Sequence, residues 1–321
     1  MSRVQQLNPV FDRELRQRSR SMRSMILMTL YLSLLVVVMY VVYKGTESTQ
    51  TFNNDPISAL TNRVGRSMFE WVLAAQMAVL LFIIPGISAG AIAGERDRQT
   101  LIPLQVTLMS PRSIFLGKVA SSSSFVLLLL VASLPVMAVP YLVGGISLSQ
   151  VVLALATLLA TGFLLAVMGV ACSAIFRRTQ TATLAAYGLT LALTLGTLVG
   201  LAVLAVIDAS RGTDTVEPRL EALYPNPFVG IADAAGDLGG VGDGPFSPIK
   251  EVFIRSQFGN DVWIENGVAF DPNTGEQFQA EGVGGLPIWV RSLLTQAGLA
   301  IVLAVLAIRR LRAPSREMHA T

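Results

Sequence analysis

The chain contains 321 residues, of which 52% are hydrophobic and only 14% are charged, and its mean hydropathy is +0.59. So few charged residues exclude an ordinary soluble domain, which carries about 25% charged residues. The net charge of +3 gives no reason to expect a nucleic-acid partner. The basic residues are spread over several short segments and lack the clustering with aromatic residues that nucleic-acid binding uses. We therefore expect an integral membrane protein.

Residues 1–24, before the first apolar run, are predicted to form a helix on the cytosolic face of the membrane. Asn8 is a good N-cap and Pro9 suits the first turn of a helix. Phe11 and Leu15 give this helix an apolar side, while arginines occupy the rest of its surface. Such a pattern is typical of helices that lie in the membrane interface.

Six apolar runs are each long enough to cross the hydrocarbon core of a bilayer, which needs about 20 helical residues. They cover residues 25–43, 71–93, 119–143, 151–176, 184–207 and 288–308. The chain is therefore predicted to be an all-α polytopic membrane protein with six transmembrane helices. A helix start at Asp55 and Pro56 indicates that the second helix begins before its apolar run.

The distribution of positive charge predicts that both termini are cytosolic, because short loops rich in arginine and lysine stay on that side. With six spans, all the clusters of basic residues fall on one side of the membrane, and the acidic segment 208–287 falls on the other. We therefore predict the following parts in chain order: a cytosolic interfacial helix at 1–24, spans one to five within 25–207, an extracellular loop or small subdomain at 208–287, the sixth span at 288–308 and a cytosolic tail at 309–321.

Two parts of the long extracellular segment carry structural signals. Asn226 and Pro227 are suited to begin a short amphipathic helix at the outer membrane surface. Residues 262–270 have the composition of two short strands around a Glu-Asn-Gly turn at 265–267, which predicts a small β-hairpin. A lid, a docking surface and a simple connection are all compatible with this segment.

The chain lacks the residues that several classes of protein need. Its only histidine, His319, lies near the C-terminal end, and its only cysteine, Cys172, lies inside an apolar run, so neither a metal site nor an intrachain disulfide is expected. The apolar runs carry no charge at mid-depth, which disfavours an ion-driven carrier. A Walker A sequence is also missing, since Gly117-Lys118 is followed by valine. We expect no catalytic, cofactor-binding or metal-binding residues, so the chain has no energy source of its own.

Three glycines, Gly86, Gly90 and Gly94, are spaced by four residues along the second apolar run and therefore lie on one face of a helix. Small residues on one face let a neighbouring helix approach closely. Packing within the chain is the simpler interpretation, although a subunit interface or a substrate path is also compatible with this spacing.

The most informative segment lies between the second and third apolar runs, at residues 95–108. It alternates charged and apolar residues, which predicts a short helix whose apolar side is covered by the membrane or by another protein. The charged, polar and apolar positions that we single out in this segment, called its marked positions below, are Glu95, Arg96, Arg98, Thr100, Leu101, Leu104 and Leu108. A connecting loop along the lipid surface would also fit these residues.

At these residues the sequence resembles the type-two ABC export permease family. The matching positions in this part of the chain are Glu95, Thr100-Leu101, Leu104, Thr107-Leu108, Ser110-Pro111, Ile114 and Gly117-Lys118. Residues 8–16 and Asn226-Pro227-Phe228 also look like members of that family. The sequence departs from the family at Gln99, where glycine is usual, at Leu108-Met109-Ser110-Pro111, where Thr-Pro-Leu-Ser is usual, and in the length of its outer loop.

The resemblance implies a permease subunit that pairs with a second copy or a homologous permease in the cytoplasmic membrane and sits on two separate ABC ATPase subunits. ATP and Mg²⁺ would bind in those partners. The marked positions between Glu95 and Leu108 would form the coupling helix that contacts the ATPase. A second contact would come from the N-terminal residues Phe11, Arg13, Glu14 and Leu15. A lipid-like molecule, a polymer, a peptide and a drug are all compatible substrates.

Two other classes of function remain beside the exporter. A membrane-embedded enzyme would need polar catalytic groups, and the serines at 121–124 have no visible base. A non-transporting ABC-like scaffold would relay ATPase action to an extracellular partner through residues 208–287. The exporter is the preferred interpretation, and the scaffold is its alternative.

Overall fold

The structure is a computed structural model that describes residues 22–49, 57–98, 111–210, 220–236, 244–250, 252, 263–265, 268–270, 277–278 and 286–311. Its α-helices are α1 Met22–Thr49, α2 Ile57–Asp97, α3 Pro111–Val143, α4 Leu148–Ile175, α5 Thr179–Leu191, α6 Thr197–Ser210, α7 Pro227–Ala234 and α8 Ile288–Leu311. A π-helical segment, Ala192–Gly196, joins α5 to α6, and a 3-10 turn, Leu220–Leu223, precedes α7. Residues 247–250 are also helical.

Six helical stretches of the described chain are long and apolar enough to cross a membrane. They are Met25–Thr46, Thr61–Asp97, Pro111–Val143, Leu148–Ile175, Thr179–Leu204 and Ile288–Leu311. Each contains or overlaps one of the six predicted runs, so the predicted transmembrane architecture is confirmed. The fifth span consists of α5, the π-helical segment and the beginning of α6.

The second span is much longer than its apolar run. Helix α2 has 41 residues, which at 1.5 Å per residue extend about 60 Å, roughly twice the 30 Å thickness of the hydrocarbon core. The helix starts at Ile57, directly after the predicted start signal at Asp55 and Pro56, and continues through Pro85. The prediction of an extended second helix is therefore confirmed, and part of α2 must project beyond the bilayer core.

Helix α2 is the centre of the bundle. It contacts α1, α3, α4, α5 and α7, and its side chains Phe69, Leu73, Met77 and Leu80 are buried in the main hydrophobic cluster. By contrast, α1 and the fifth span bury few of their side chains against the rest of the chain. Their exposed apolar faces, such as that around Leu198, suit contact with lipid or with another membrane subunit.

The connection between α3 and α4 is a tight turn. Gly144 and Gly145 have φ angles of 114° and 80°, a left-handed conformation that glycine adopts without the strain a side chain would cause. Ser147 caps α4, because its hydroxyl accepts a hydrogen bond from the Gln150 amide while the Gln150 side chain accepts one from the Ser147 amide. A side chain at Gly65 of α2 would overlap the Gly144 carbonyl, so this turn packs directly on α2.

The segment between α7 and α8 contains three short antiparallel strands, β1 Trp263–Glu265, β2 Val268–Phe270 and β3 Gln277–Phe278. Trp263 pairs with Phe270 and Glu265 pairs with Val268. Phe270 in turn pairs with Gln277. Residues 266 and 267 of the predicted turn lie outside the described residues.

Small residues allow α2 and α4 to pack closely. A side chain at Gly169 of α4 would overlap the side chain of Ser88 of α2. One turn further on, the Ser173 hydroxyl accepts hydrogen bonds of 2.9 Å from the backbone amides of Ile92 and Ala93. Close packing and polar contacts between helices are the main sources of association inside a bilayer, where water is absent.

We expect Gly169→Ala to destabilise the protein and Gly188→Ala to leave it unchanged or slightly more stable. The new methyl group at Gly169 would collide with Ser88, whereas nothing lies within 4 Å of the corresponding position at Gly188. Overpacking typically costs about 1–3 kcal/mol, and alanine is a better helix former than glycine. Thermal unfolding in detergent measures both effects. Ser88→Gly should restore the stability of Gly169→Ala, and failure of this rescue would contradict the packing explanation.

Candidate functional site

The predicted coupling segment is only partly described. Residues 99–110 lie outside the described residues, and with them Thr100, Leu101, Leu104 and Leu108. The predicted N-terminal contact residues, Phe11, Arg13, Glu14 and Leu15, also lie outside. The structure does place Glu95, Arg96 and Arg98, together with the helix ends on both sides of the segment. We call this part of the bundle, where α2, α4 and α8 end and α3 and α5 begin, the Glu95 end.

An ion pair joins the two helices that enclose the coupling segment. Lys118 Nζ of α3 donates a hydrogen bond of 2.6 Å to Glu95 Oε1 of α2. The Lys118 side chain is 8% exposed and that of Glu95 is 29% exposed, so the pair is partly shielded from water and stronger than a surface ion pair. The end of α2 and the beginning of α3 are therefore held together by this ion pair.

The next two residues of α2 bind the connection between α4 and α5. Arg96 Nη1 donates a 3.1 Å hydrogen bond to the carbonyl of Phe176, at the carboxyl end of α4, where helix carbonyls lack partners within the helix. Asp97 accepts hydrogen bonds from the amide and the hydroxyl of Thr179, at 3.1 and 2.5 Å. A carboxylate is favourable there because the amide of Thr179, the first residue of α5, donates to it and the helix dipole is positive at that end.

These contacts join the last turn of α2 to three other helices. Glu95 binds α3, Arg96 binds the end of α4, and Asp97 caps α5, whereas Arg98 follows the helix and is exposed. A displacement of the last turn of α2 would therefore act on spans two to five together. Sequence reasoning named Glu95, Arg96 and Arg98, but it assigned no role to Asp97 or Thr179, whose contact depends on tertiary structure.

The glycines at 86, 90 and 94 face α5. A side chain at Gly86 would collide with the phenol of Tyr187, and side chains at Gly90 and Gly94 would contact Thr179. The Tyr187 hydroxyl donates a 2.8 Å hydrogen bond to the carbonyl of Phe82. The space that a side chain at Gly86 would occupy is thus filled by the phenol of Tyr187, which is hydrogen-bonded to α2.

A second group of charges lies farther toward the amino-terminal end of α2, around Glu70, and we call this region the Glu70 end. Lys250 Nζ donates a 2.7 Å hydrogen bond to Glu70 Oε1, and the two side chains are 0% and 1% exposed. Arg66, one turn away on α2, lies 3.4 Å from the same oxygen. A side chain at Gly244 would overlap the Glu70 carboxylate, so the segment that carries Lys250 packs tightly on α2. Charges are buried in this way only when they are paired.

Asn226 connects α7 with the fifth and sixth spans. Its side-chain oxygen accepts a hydrogen bond from the Phe228 amide, so the predicted cap of this helix is confirmed. Its side-chain nitrogen donates to the Thr194 carbonyl and the Thr197 hydroxyl, at 3.1 and 3.0 Å. The Asn226 carbonyl accepts from Ser292 of α8. A buried amide with partners on all sides fixes α7 against both spans.

Within the described residues, no group of three or more His, Cys, Asp or Glu side chains is arranged to hold a metal ion. Cys172 is buried in α4. The polar side chains instead join one helix to another, at the Glu95 end and at the Glu70 end. The six membrane-spanning stretches of the described chain define a multi-pass membrane protein.

A comparison with protein-family models matches residues 9–240 to the family described as ABC-2 family transporter protein. The match covers spans one to five and α7, so the chain belongs to this family and is an ABC transporter permease, the membrane subunit. Membership implies association with ABC ATPase subunits. A comparison with curated proteins found no match. Lys250, β1–β3 and α8 lie beyond the matched residues.

We expect Lys250→Met to destabilise the protein more than the double substitution Glu70→Gln with Lys250→Met. The single change takes the closest counter-charge from a fully buried carboxylate, which typically costs about 3 kcal/mol or more. The double change leaves a neutral pair of similar size, so much of that loss should be recovered. Thermal unfolding of the purified protein measures the difference. Equal stability of the two variants would show that the pair does not hold the segment around Lys250 on α2.

Proposed function

We propose that the chain is the transmembrane subunit of an ATP-driven ABC exporter that moves a substrate across the cytoplasmic membrane. The observation that carries this proposal is the connection of Glu95, Arg96 and Asp97 to α3, α4 and α5. A force applied to the segment between α2 and α3 would reach four spans at once through these contacts. The family match supports the same assignment.

In this proposal the energy comes from separate ATPase subunits, which bind ATP and Mg²⁺. Residues 95–108 form the coupling helix, and the N-terminal residues around Phe11 and Leu15 supply a second contact. Closure of the ATPase pair displaces the coupling helix, and the bundle changes between an inward-facing and an outward-facing packing. Both chain termini lie in the cytosol, as the distribution of arginine predicts.

A second permease copy, or a homologous permease, completes the transport path. The support for this part of the proposal is the exposed apolar surface of α1 and of the fifth span. Lipid covers part of that surface, and the partner permease covers the rest. An α1 face with residues as large as Met25 and Tyr40 exposed offers ample area for such a contact.

We expect Glu95→Ala and Leu101→Asp to reduce the ATPase activity of the assembled complex or to uncouple it from the permease. Glu95→Ala removes the ion pair with Lys118, and Leu101→Asp places a charge on the proposed apolar contact. The experiment co-expresses the permease with the ATPase encoded beside it and measures co-purification and ATP hydrolysis. Arg63→Ala, an exposed change at the far end of α2, is the control and should leave both unchanged. If the unmodified permease binds no ATPase, the proposal fails.

A non-transporting scaffold is the second candidate, and the buried Glu70–Lys250 pair favours it. That pair attaches the segment after α7 directly to α2, the same helix that carries Glu95. Motion delivered at the Glu95 end would therefore reach the outer segment as well as the spans. In this function the outer segment acts on an extracellular partner.

Deletion of residues 262–270 distinguishes the two candidates. The deletion removes β1 and β2, and it leaves the Glu70–Lys250 pair and the spans in the sequence. For an exporter we expect substrate-stimulated ATP hydrolysis to persist in the deletion variant. Loss of binding to an extracellular partner, in a complex that never shows substrate-stimulated hydrolysis, would instead identify the scaffold.

A further inference from the structure

The π-helical segment Ala192–Gly196 is an irregular turn inside the fifth span. Such turns are rare, because they insert an additional residue into a regular helix, and many of them lie at functional sites. No water is available inside a bilayer to bind backbone groups that lose their regular partners. The segment therefore persists because side chains around it bind its backbone.

Two threonine hydroxyls of the fifth span itself bind carbonyls around this segment. The Thr194 hydroxyl shares its hydrogen between the carbonyls of Thr190 and Leu191, at 3.0 and 3.3 Å. The Thr197 hydroxyl does the same with the carbonyls of Leu193 and Thr194, at 3.0 and 2.9 Å. Threonine makes such contacts in a regular α-helix as well, so these hydroxyls support the π-helical form without selecting it.

Asn226 supplies a contact that comes from outside the span. Its side-chain nitrogen donates to the Thr194 carbonyl, inside the π-helical segment, and to the hydroxyl of Thr197, the first residue of α6. Asn226 is buried and fixed in place, because its side-chain oxygen caps α7 and its carbonyl accepts a hydrogen bond from Ser292 of α8. One amide held by α7 and α8 therefore binds the π-helical segment and the start of α6 together.

The π-helical segment determines which face of α6 points away from the bundle. Its additional residue rotates α6 by about 100° relative to a continuous α-helix. In this form Val203 is exposed, whereas Leu201 is half-buried and packs against the main hydrophobic cluster.

A regular α-helix would move each residue of α6 into the direction that the next residue has now. Leu201 would then point outward, as the exposed Ala202 does. Val203 would turn toward the half-buried side, where Leu204 lies. The two forms of the span therefore present different side chains to the lipid or to a second subunit.

We propose that Asn226 is a positioning residue that keeps the fifth span in its π-helical form, so that α7 selects the face that α6 presents. While the Asn226 amide is bound, the Val203 side points outward. When α7 withdraws this amide, the segment becomes a regular α-helix and the Leu201 side points outward. This switch lies within one chain, so it does not depend on the proposed export of a substrate.

Two variants remove the contact from opposite sides. Asn226→Ser loses the amide but keeps a side-chain oxygen that is suited to cap α7. Thr197→Val loses the hydroxyl that accepts from Asn226 and leaves the cap of α7 intact, so it tests the contact even where Asn226→Ser folds poorly. The control is Thr183→Val, which removes a hydroxyl of the same span that donates to the Thr179 carbonyl, away from the π-helical segment.

The measurement uses the full-length permease in nanodiscs, without any ATPase. Cys172→Ala provides a background free of cysteine, and single cysteines at Leu201 or Val203 carry a nitroxide spin label. Oxygen dissolves preferentially in lipid, so the rate of collision between oxygen and the label measures how far each position faces the bilayer. The melting temperature of every variant is measured as well.

We expect the label at Val203 to be more accessible than the label at Leu201 in the otherwise unmodified protein and in Thr183→Val. In Asn226→Ser and in Thr197→Val the order should reverse, which is a shift of the exposed face by one residue toward the N-terminus. Deletion of Leu195 takes the additional residue out of the turn. Combined with Asn226→Ser, this deletion should restore the original order, which a general loss of packing could not do.

Three results would overturn the proposal. The first is an unchanged order in both Asn226→Ser and Thr197→Val, which would mean that the π-helical form does not depend on this contact. The second is the same reversal in Thr183→Val, which would mean that loss of any hydroxyl in the span is sufficient. The third is high accessibility at both labelled positions that the deletion does not restore, which would mean that α6 detaches instead of rotating.

Discussion

The close contact between α2 and α4 is the constraint on which the rest of the bundle depends. Ser88 occupies the space left by Gly169, and the Ser173 hydroxyl binds two backbone amides of α2. No water is available inside a bilayer to replace such contacts, so helices associate where small residues let their backbones approach. Once α2 and α4 are joined, α3 and α5 pack on α2, and α8 packs on α4.

Helix α2 also joins the two polar regions of the molecule. Glu95 binds α3 near one end of the helix, and Glu70, farther toward the other, binds Lys250 of the segment between α7 and α8. One continuous helix joins these sites, with Pro85 between them as the residue at which it can bend. A shift or tilt of α2 therefore changes both polar regions together, which gives the exporter and scaffold proposals a common mechanical basis.

Much of this fold could be predicted from the sequence, because apolar length determines the spans, and Asn226-Pro227 and Asp55-Pro56 mark helix starts directly. The ion pairs could not be predicted. Glu70 resembles an ordinary charge at a membrane edge, and its partner Lys250 is 180 residues away. Glu95 and Lys118 both carry the family resemblance, but their pairing depends on how α2 and α3 are rotated, which hydrophobic periodicity does not determine. The spacing of Gly86, Gly90 and Gly94 likewise predicts a close neighbour without indicating that Tyr187 fills the space.

The π-helical segment Ala192–Gly196 divides the fifth span into two halves. A π-helical turn contains an additional residue, which rotates the following helix by about 100° relative to a continuous α-helix. The α5 half is bound to α2 through Tyr187. The first residues of α6 instead meet α7 through Asn226, the residue that caps it. One crossing of the bilayer thus consists of two halves that pack against different helices, and the π-helical segment lies between them.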